Sequence, residues 1–136
     1  MKTKKPKTKV RTLKLYKVLS YYTFWTGSRW SGGYSHFDYT PYFPKGRKPG
    51  EWTPKRFRLV LCSYGWHVTA CPRNWLQYRS RVFLVETKGR HVGHRRDNKQ
   101  AFSQIRLVRE IRRDTREWER VLKNNYQDWR LVRRSR

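Results

Sequence analysis

Thirty-four Lys and Arg against nine Asp and Glu give this chain of 136 residues a formal net charge of +25, and any fold must accommodate it. Like charges at that density repel one another, so they have to be spread over a surface. Only 36% of the residues are apolar, which leaves few positions for an interior. Seven Trp, nine Tyr and six Phe offset the shortage, because each aromatic side chain buries ~150 to 250 Å². They also argue against wholesale disorder, which goes with few aromatics. The length suits one domain with one core. A polyanionic partner explains the charge better than the fold does, and nucleic acid leads, since each phosphate contact releases a counterion and adds sequence-independent affinity.

Other destinations fit less well. No apolar run approaches the ~18 residues of a spanning helix. Lys14 and Lys17 interrupt the stretch that would serve as the apolar region of a signal peptide, and Pro6 with no apolar periodicity before Leu13 makes a poor amphipathic presequence. Cys62 and Cys71 are too few for a disulfide scaffold. A cytoplasmic, intracellular protein is expected, in the host cytoplasm if the chain is phage-encoded.

Charge divides the chain: Asp38 is the one acid in the first fifty residues, whereas six of the nine acids fall between Asp97 and Asp128. Residues 1–12 read as a basic arm, disordered without a polyanion, carrying Lys2, Lys4, Lys5, Lys7, Lys9 and Arg11 around Pro6. Residues 13–96 read as an aromatic-rich β body. Alternation over Leu13–Leu19 predicts a first strand, and the glycine-broken aromatics of 21–43 predict a loop or irregular hairpin. The Pro and Gly of 44–54 predict a basic surface loop bearing Lys45, Arg47 and Lys48. Strands are predicted at Arg56–Ser63, Trp66–Ala70 and Arg81–Thr87, with one helical turn over Pro72–Tyr78.

Residues 97–136 read as a C-terminal amphipathic helix. Asp97 and Gln100 have capping-box spacing, and Asp114 to Glu117 offers a second cap where the helix could break. Val108, Ile111, Thr115, Trp118, Leu122, Asn125, Trp129 and Val132 recur at spacings of three and four. Arg106, Arg109, Arg113, Arg116, Arg120, Lys123, Gln127, Arg130 and Arg134 do the same two residues out of phase, which places a cationic row opposite the apolar one. Arg133 adds to the acid-free end. Arginine forks spaced this way can follow a phosphate backbone; the bland alternative is that they pair with Glu110, Glu117 and Glu119. The fold expected is therefore α+β, a small, mostly antiparallel sheet packed against a long or broken C-terminal amphipathic helix, with a disordered basic N-terminal arm.

Trp30, Tyr34 and Tyr39, set among Gly, Ser, Arg29 and His36, are the aromatics expected to be exposed for base stacking. Cys62, His67 and Cys71, with His91 or His94, could be read as zinc ligands, but the spacing departs from finger patterns and no metal or cofactor is expected. His67, Glu86 and Lys17 are the candidates for catalysis; Glu86, an isolated acid in a basic stretch, is better read as an ion-pair partner.

The segments LYKV at 15–18, PGEWT at 49–53, LCSYGWHVT at 61–69 and RVFLVETKG at 81–89 resemble an uncharacterised domain of bacterial and phage proteins. The resemblance covers about residues 13–112 and implies a compact α+β body of phage or mobile-element origin. Tyr16-Lys17, His67 and Glu86 are distantly similar to the dispersed sites of ADP-ribosyltransferases, with Lys17 where that family carries His or Arg. That similarity implies an enzyme using His67 and Glu86. The residues themselves favour a nucleic-acid-binding protein, RNA ahead of DNA, structural within a ribonucleoprotein or phage assembly with other proteins. A cationic binder of an acidic protein or membrane surface is the remaining alternative.

Overall fold

A computed structural model describes residues 14–24, 27–32, 37–93 and 99–123. Strands β1 (Leu15–Phe24), β2 (Gly27–Ser31), β3 (Trp66–Val68), β4 (Arg81–Val92) and β5 (Gln100–Ile111) precede one helix, α1 (Arg116–Lys123), and short 3-10 turns lie at Thr40–Tyr42 and Pro72–Trp75. The strands form one sheet in the order β2-β1-β4-β5-β3, with every neighbouring pair antiparallel.

The sheet curls until it meets itself. Thr69, next after β3, exchanges backbone hydrogen bonds of 2.8 and 2.9 Å with Tyr16 on the edge of β1 that faces away from β4. β1, β4, β5 and β3 thus make a small irregular barrel. Two register shifts in the β4–β5 pair supply the curvature, one beside Val108 and one at Gly89–Arg90. Inside lie Leu19, Tyr39, Trp66, Val68, Phe83, Val85, Phe102, Ile105 and Leu107. Outside, α1 lays Val121 and Trp118 over Tyr16, Val82 and Ile111.

The expected long C-terminal helix over 97–136 is overturned: residues 100–111 are a strand, and the helix that follows has eight described residues, Arg116–Lys123. The bulge explains the misreading. Val85 pairs with Leu107 but Leu84 pairs with Arg109, so Val108 is an extra residue that moves Ile111 to the outer face, while Ile105 and Leu107 point in. The bulge breaks the two-residue alternation of this strand, and Val108 and Ile111, three apart, then line up with Thr115 and Trp118 as if on one helix face. Of the proposed caps, Asp97 lies outside the described residues and Gln100 opens β5. The second is realised one residue on: Asp114 turns the chain at φ 64, and the Thr115 hydroxyl accepts from Trp118 N–H at 3.1 Å.

The strand expected at Arg56–Ser63 is also absent. Gly50, Thr53 and Arg56 donate backbone N–H groups to the carbonyls of Leu107, Ile105 and Ser103, so an extended segment covers the edge of β5 that β3 leaves open. Past Arg56 the chain turns back, with Val60 and Tyr64 bridged around Cys62 at φ 72.

One charge is inside. Lys17 alternates inward between Leu15 and Leu19, is 6% exposed, donates from Nζ to the His67 carbonyl at 2.7 Å and lies 5.2 Å from the Tyr39 ring centre. Burial pushes its pKa down from 10.5 to about 8. Between those values the unfolded chain holds a proton that the folded protein has released, so this group's contribution makes stability rise with pH, and its full penalty persists below about pH 8. Relative to Lys17→Met, the unsubstituted protein should gain about 3 kcal/mol in denaturant unfolding between about pH 7 and pH 11. A difference independent of pH would place the ammonium in water.

Candidate nucleic-acid interface

The cationic row that the sequence set on one helix is distributed by the structure over three settings: Arg106 and Arg109 on β5, Arg113 in the following turn, Arg116 and Arg120 on α1. Arg106 pairs with Glu86 at 2.5 Å and lies 4.8 Å from the Trp52 ring centre. Arg109 grips Glu117 with both terminal nitrogens at 2.5 Å, which holds that carboxyl below its ordinary pKa. Arg113 donates to the Ser80 carbonyl at 2.7 Å and covers Trp118. Three of the five are therefore engaged within the protein, and the single phosphate-tracking row is corrected to scattered cations. Lys45, Arg47 and Lys48 are exposed on a tight turn closed by reciprocal Lys45–Lys48 backbone hydrogen bonds.

The stacking candidates change as well. Tyr39 is 3% exposed, a core residue edge-on to Phe37 and Trp66, and burial drives its hydroxyl pKa well above the usual value. Trp30 is half-buried, packed on Tyr21 and beneath the Arg81 guanidinium. Lys2, Lys4, Lys5, Lys7, Lys9, Arg11, Tyr34, Arg130, Arg133 and Arg134 lie outside the described residues.

A different patch emerges at residues 54–64. Its frame starts at Ser103, whose carbonyl accepts from Arg56 N–H while its hydroxyl accepts from Arg90 N–H at 3.1 Å. Gly89, at φ 85, sits so close to Ser103 that an added Cβ would lie 2.7 Å from the serine Cβ, so only glycine fits this bulge. The bulge brings Arg90 round to donate from its guanidinium to the Phe57 carbonyl. With its backbone tied, Phe57 presents a ring to solvent at 72% exposure, with Lys55 Nζ 5.4 Å from its centre. Tyr64, 48% exposed, carries Arg58 at 4.5 Å, and Arg56 covers Trp66 at 4.6 Å. No acid occurs between Glu51 and Glu86 to neutralise this stretch from within.

The strand predicted at Arg56–Ser63 would set Phe57 on one face with Leu59 and Leu61, which hid it as a surface ring. The signal was local: Lys55-Arg56-Phe57-Arg58 sets one aromatic among three cations.

Of the catalytic candidates, Lys17 reaches the His67 backbone carbonyl at 2.7 Å, but Glu86 stands apart from both. His67 on β3 and Glu86 on β4 are separated by β5, and Glu86 is held by Arg106. The His67 Nε2 accepts from Cys62 N–H at 2.9 Å, and burial, aided by the Lys17 charge, pushes its pKa down to about 4, so the ring is neutral near pH 7. Cys71 is buried and Cys62 exposed; His91 stacks on Phe102, and His94 lies outside the described residues. Among the described residues no three His, Cys, Asp or Glu gather as metal ligands, and no helix is long and apolar enough to cross a membrane. Compared with known proteins, the chain matches no family model, no curated protein and no solved structure.

Core and surface aromatics should separate in denaturant titrations. Tyr39→Ala is expected to lower stability by ~3 to 5 kcal/mol, as for large aromatic truncations in cores. Phe57→Ala should stay within about 0.5 kcal/mol of the parent. The reverse order would contradict the burial assigned to the two rings.

Proposed function

We propose that the protein binds nucleic acid through the 54–64 edge and takes unpaired nucleotides there, RNA ahead of DNA. The observation that carries this reading is Phe57, an exposed ring on a backbone tied to Ser103 and Arg90 and flanked by Lys55, Arg56 and Arg58. Exposing an aromatic ring to water is unfavourable, and a base is its natural cover: stacking is worth ~1 to 3 kcal/mol per base and does not depend on sequence. The adjacent cations suit the phosphates on either side of that base. Rings and cations alternating at short range favour single strands and loops over duplex, where bases are already stacked. Exposed Arg116 and Arg120 on α1 and the Lys45–Lys48 turn add cationic surface away from this edge. Such a binder fits a structural part in a ribonucleoprotein or phage assembly.

Affinity for single-stranded RNA, duplex DNA and heparin across salt tests the reading. Engagement of ~6 to 10 phosphates predicts a loss of ~10³ to 10⁵ in affinity between about 50 and 200 mM salt. Phe57→Ala should weaken single-strand binding by ~1 to 3 kcal/mol and leave duplex binding nearly unchanged. Equal affinity for heparin and RNA, or an unaltered Phe57→Ala variant, would overturn it. Preference for an acidic protein or anionic vesicles over RNA would point to the cationic-surface alternative.

A further inference from the structure

The most exposed aromatic side chain among the described residues is Tyr78, at 85%, and it is outside the edge just described. It projects from the Gln77–Ser80 turn between the second 3-10 turn and β4. The turn is firmly held. Ser80 is completely buried, its N–H donates to the Gln77 carbonyl at 3.1 Å, and its hydroxyl accepts from Gln77 N–H at 2.7 Å while meeting the Ser20 hydroxyl at 3.1 Å. Arg113 donates to the Ser80 carbonyl at 2.7 Å, and the Tyr22 hydroxyl donates to the Gln77 side chain at 3.3 Å. Between these tethers Arg79 takes φ 61, a left-handed conformation unfavourable for a residue other than glycine. None of the tethers uses the Tyr78 ring. The fold thus holds a large aromatic in water on a fixed and locally strained platform.

The chemistry around that ring repeats the first edge. The Arg79 guanidinium lies 5.2 Å from the Tyr78 ring centre. Trp75, on the neighbouring turn and 39% exposed, carries Lys99 at 5.3 Å, and Arg73 is exposed beside it. Phe57, Tyr64, Trp75 and Tyr78 therefore each have a cation over a ring. The two groups are linked through Gly93: an added Cβ there would lie 2.9 Å from the Lys99 carbonyl and 3.2 Å from Leu61 Cδ1, so Lys99 neighbours the first edge while reaching Trp75 of the second.

We infer that Tyr78 and Arg79, with Trp75 and Lys99, form a second stacking site that takes a further unpaired nucleotide from the same strand that occupies the 54–64 edge. The inference rests on the reading of that edge. It makes the protein a two-point binder whose second contact becomes effectively intramolecular once the first is made, so a strand long enough to span both gains affinity that a short one lacks. The acid-free stretch between Glu51 and Glu86 contains both sites except Lys99, which suits one polyanion across both.

Anisotropy titrations with end-labelled uridine oligonucleotides of ~4 and ~16 nucleotides, bracketing the site sizes of small single-strand binders, read the inference directly. Tyr78→Ala should weaken the long strand by roughly tenfold and change the short one by about twofold at most, whereas Phe57→Ala should weaken both. An unchanged unfolding midpoint for Tyr78→Ala is expected from its exposure. Loss of affinity for neither strand, or equal loss for both, overturns the second site while leaving the first standing. No binding of either strand by the unsubstituted protein overturns the reading of the 54–64 edge itself. An effect of Tyr78→Ala on polyglutamate binding but not on RNA would assign the ring to an acidic protein instead.

Discussion

The exchange of backbone hydrogen bonds between Tyr16 and Thr69 is the contact on which the rest of the molecule depends. It turns an open five-stranded sheet into a closed one and gives the few apolar side chains a shared interior. An open sheet would need a second layer over its apolar face, and a chain with so few apolar side chains has little from which to build one. Closure leaves one compact core of mostly aromatic and branched residues and a single outer patch for α1. It also draws Lys17 inward, where the His67 carbonyl and the Tyr39 ring are its partners.

The surplus charge is handled in two ways outside that core. Arg81–Glu110, Arg106–Glu86 and Arg109–Glu117 join neighbouring elements, although each is partly exposed and such pairs contribute only ~0 to 1 kcal/mol. Their larger effect is to occupy three arginines, leaving them poorly placed for phosphates. Other cations lie over rings. Arg81 sets its guanidinium over Trp30, Phe43 and Phe83 while pairing with Glu110. Where a ring is exposed, as at Phe57, Tyr64 and Tyr78, the same pairing of ring and cation faces outward and is open to a base and its phosphate.

Much of this was legible in local patterns. Alternation marked Leu13–Leu19 as a strand, of which Leu15 to Leu19 fall in β1; β-branched and aromatic content marked Arg81–Thr87, which falls within β4; Pro72 marked a helical turn, and the isolated Glu86 found its cation in Arg106. What escaped depends on partners distant in sequence. The bulge at Val108 is visible only once β4 is laid against β5; read along the chain alone, the break in alternation that it makes looks like the start of a helical stripe at Val108 and Ile111. Tyr39 is buried because the chain before the first 3-10 turn folds over Trp66, which neighbouring residues do not indicate. Phe57 fits an alternating pattern, yet the edge of β5 that would have buried it is taken by β3 and by Gly50 to Arg56. The basic composition pointed to a polyanion; the folded edge determines which of its cations and rings can meet one.

The proposed function is that nucleic acid meets the ring-and-cation edge at 54–64, with the helix arginines playing a lesser part. Ultraviolet cross-linking of the protein to a single-stranded uridine oligonucleotide, followed by mass spectrometric mapping of the adducts, addresses it most directly. Adducts on Phe57 and Tyr64 are the predicted result, since photochemical coupling requires a base in contact with the side chain. Adducts confined to α1 or to the Lys45–Lys48 turn, with neither Phe57 nor Tyr64 modified, would contradict the account.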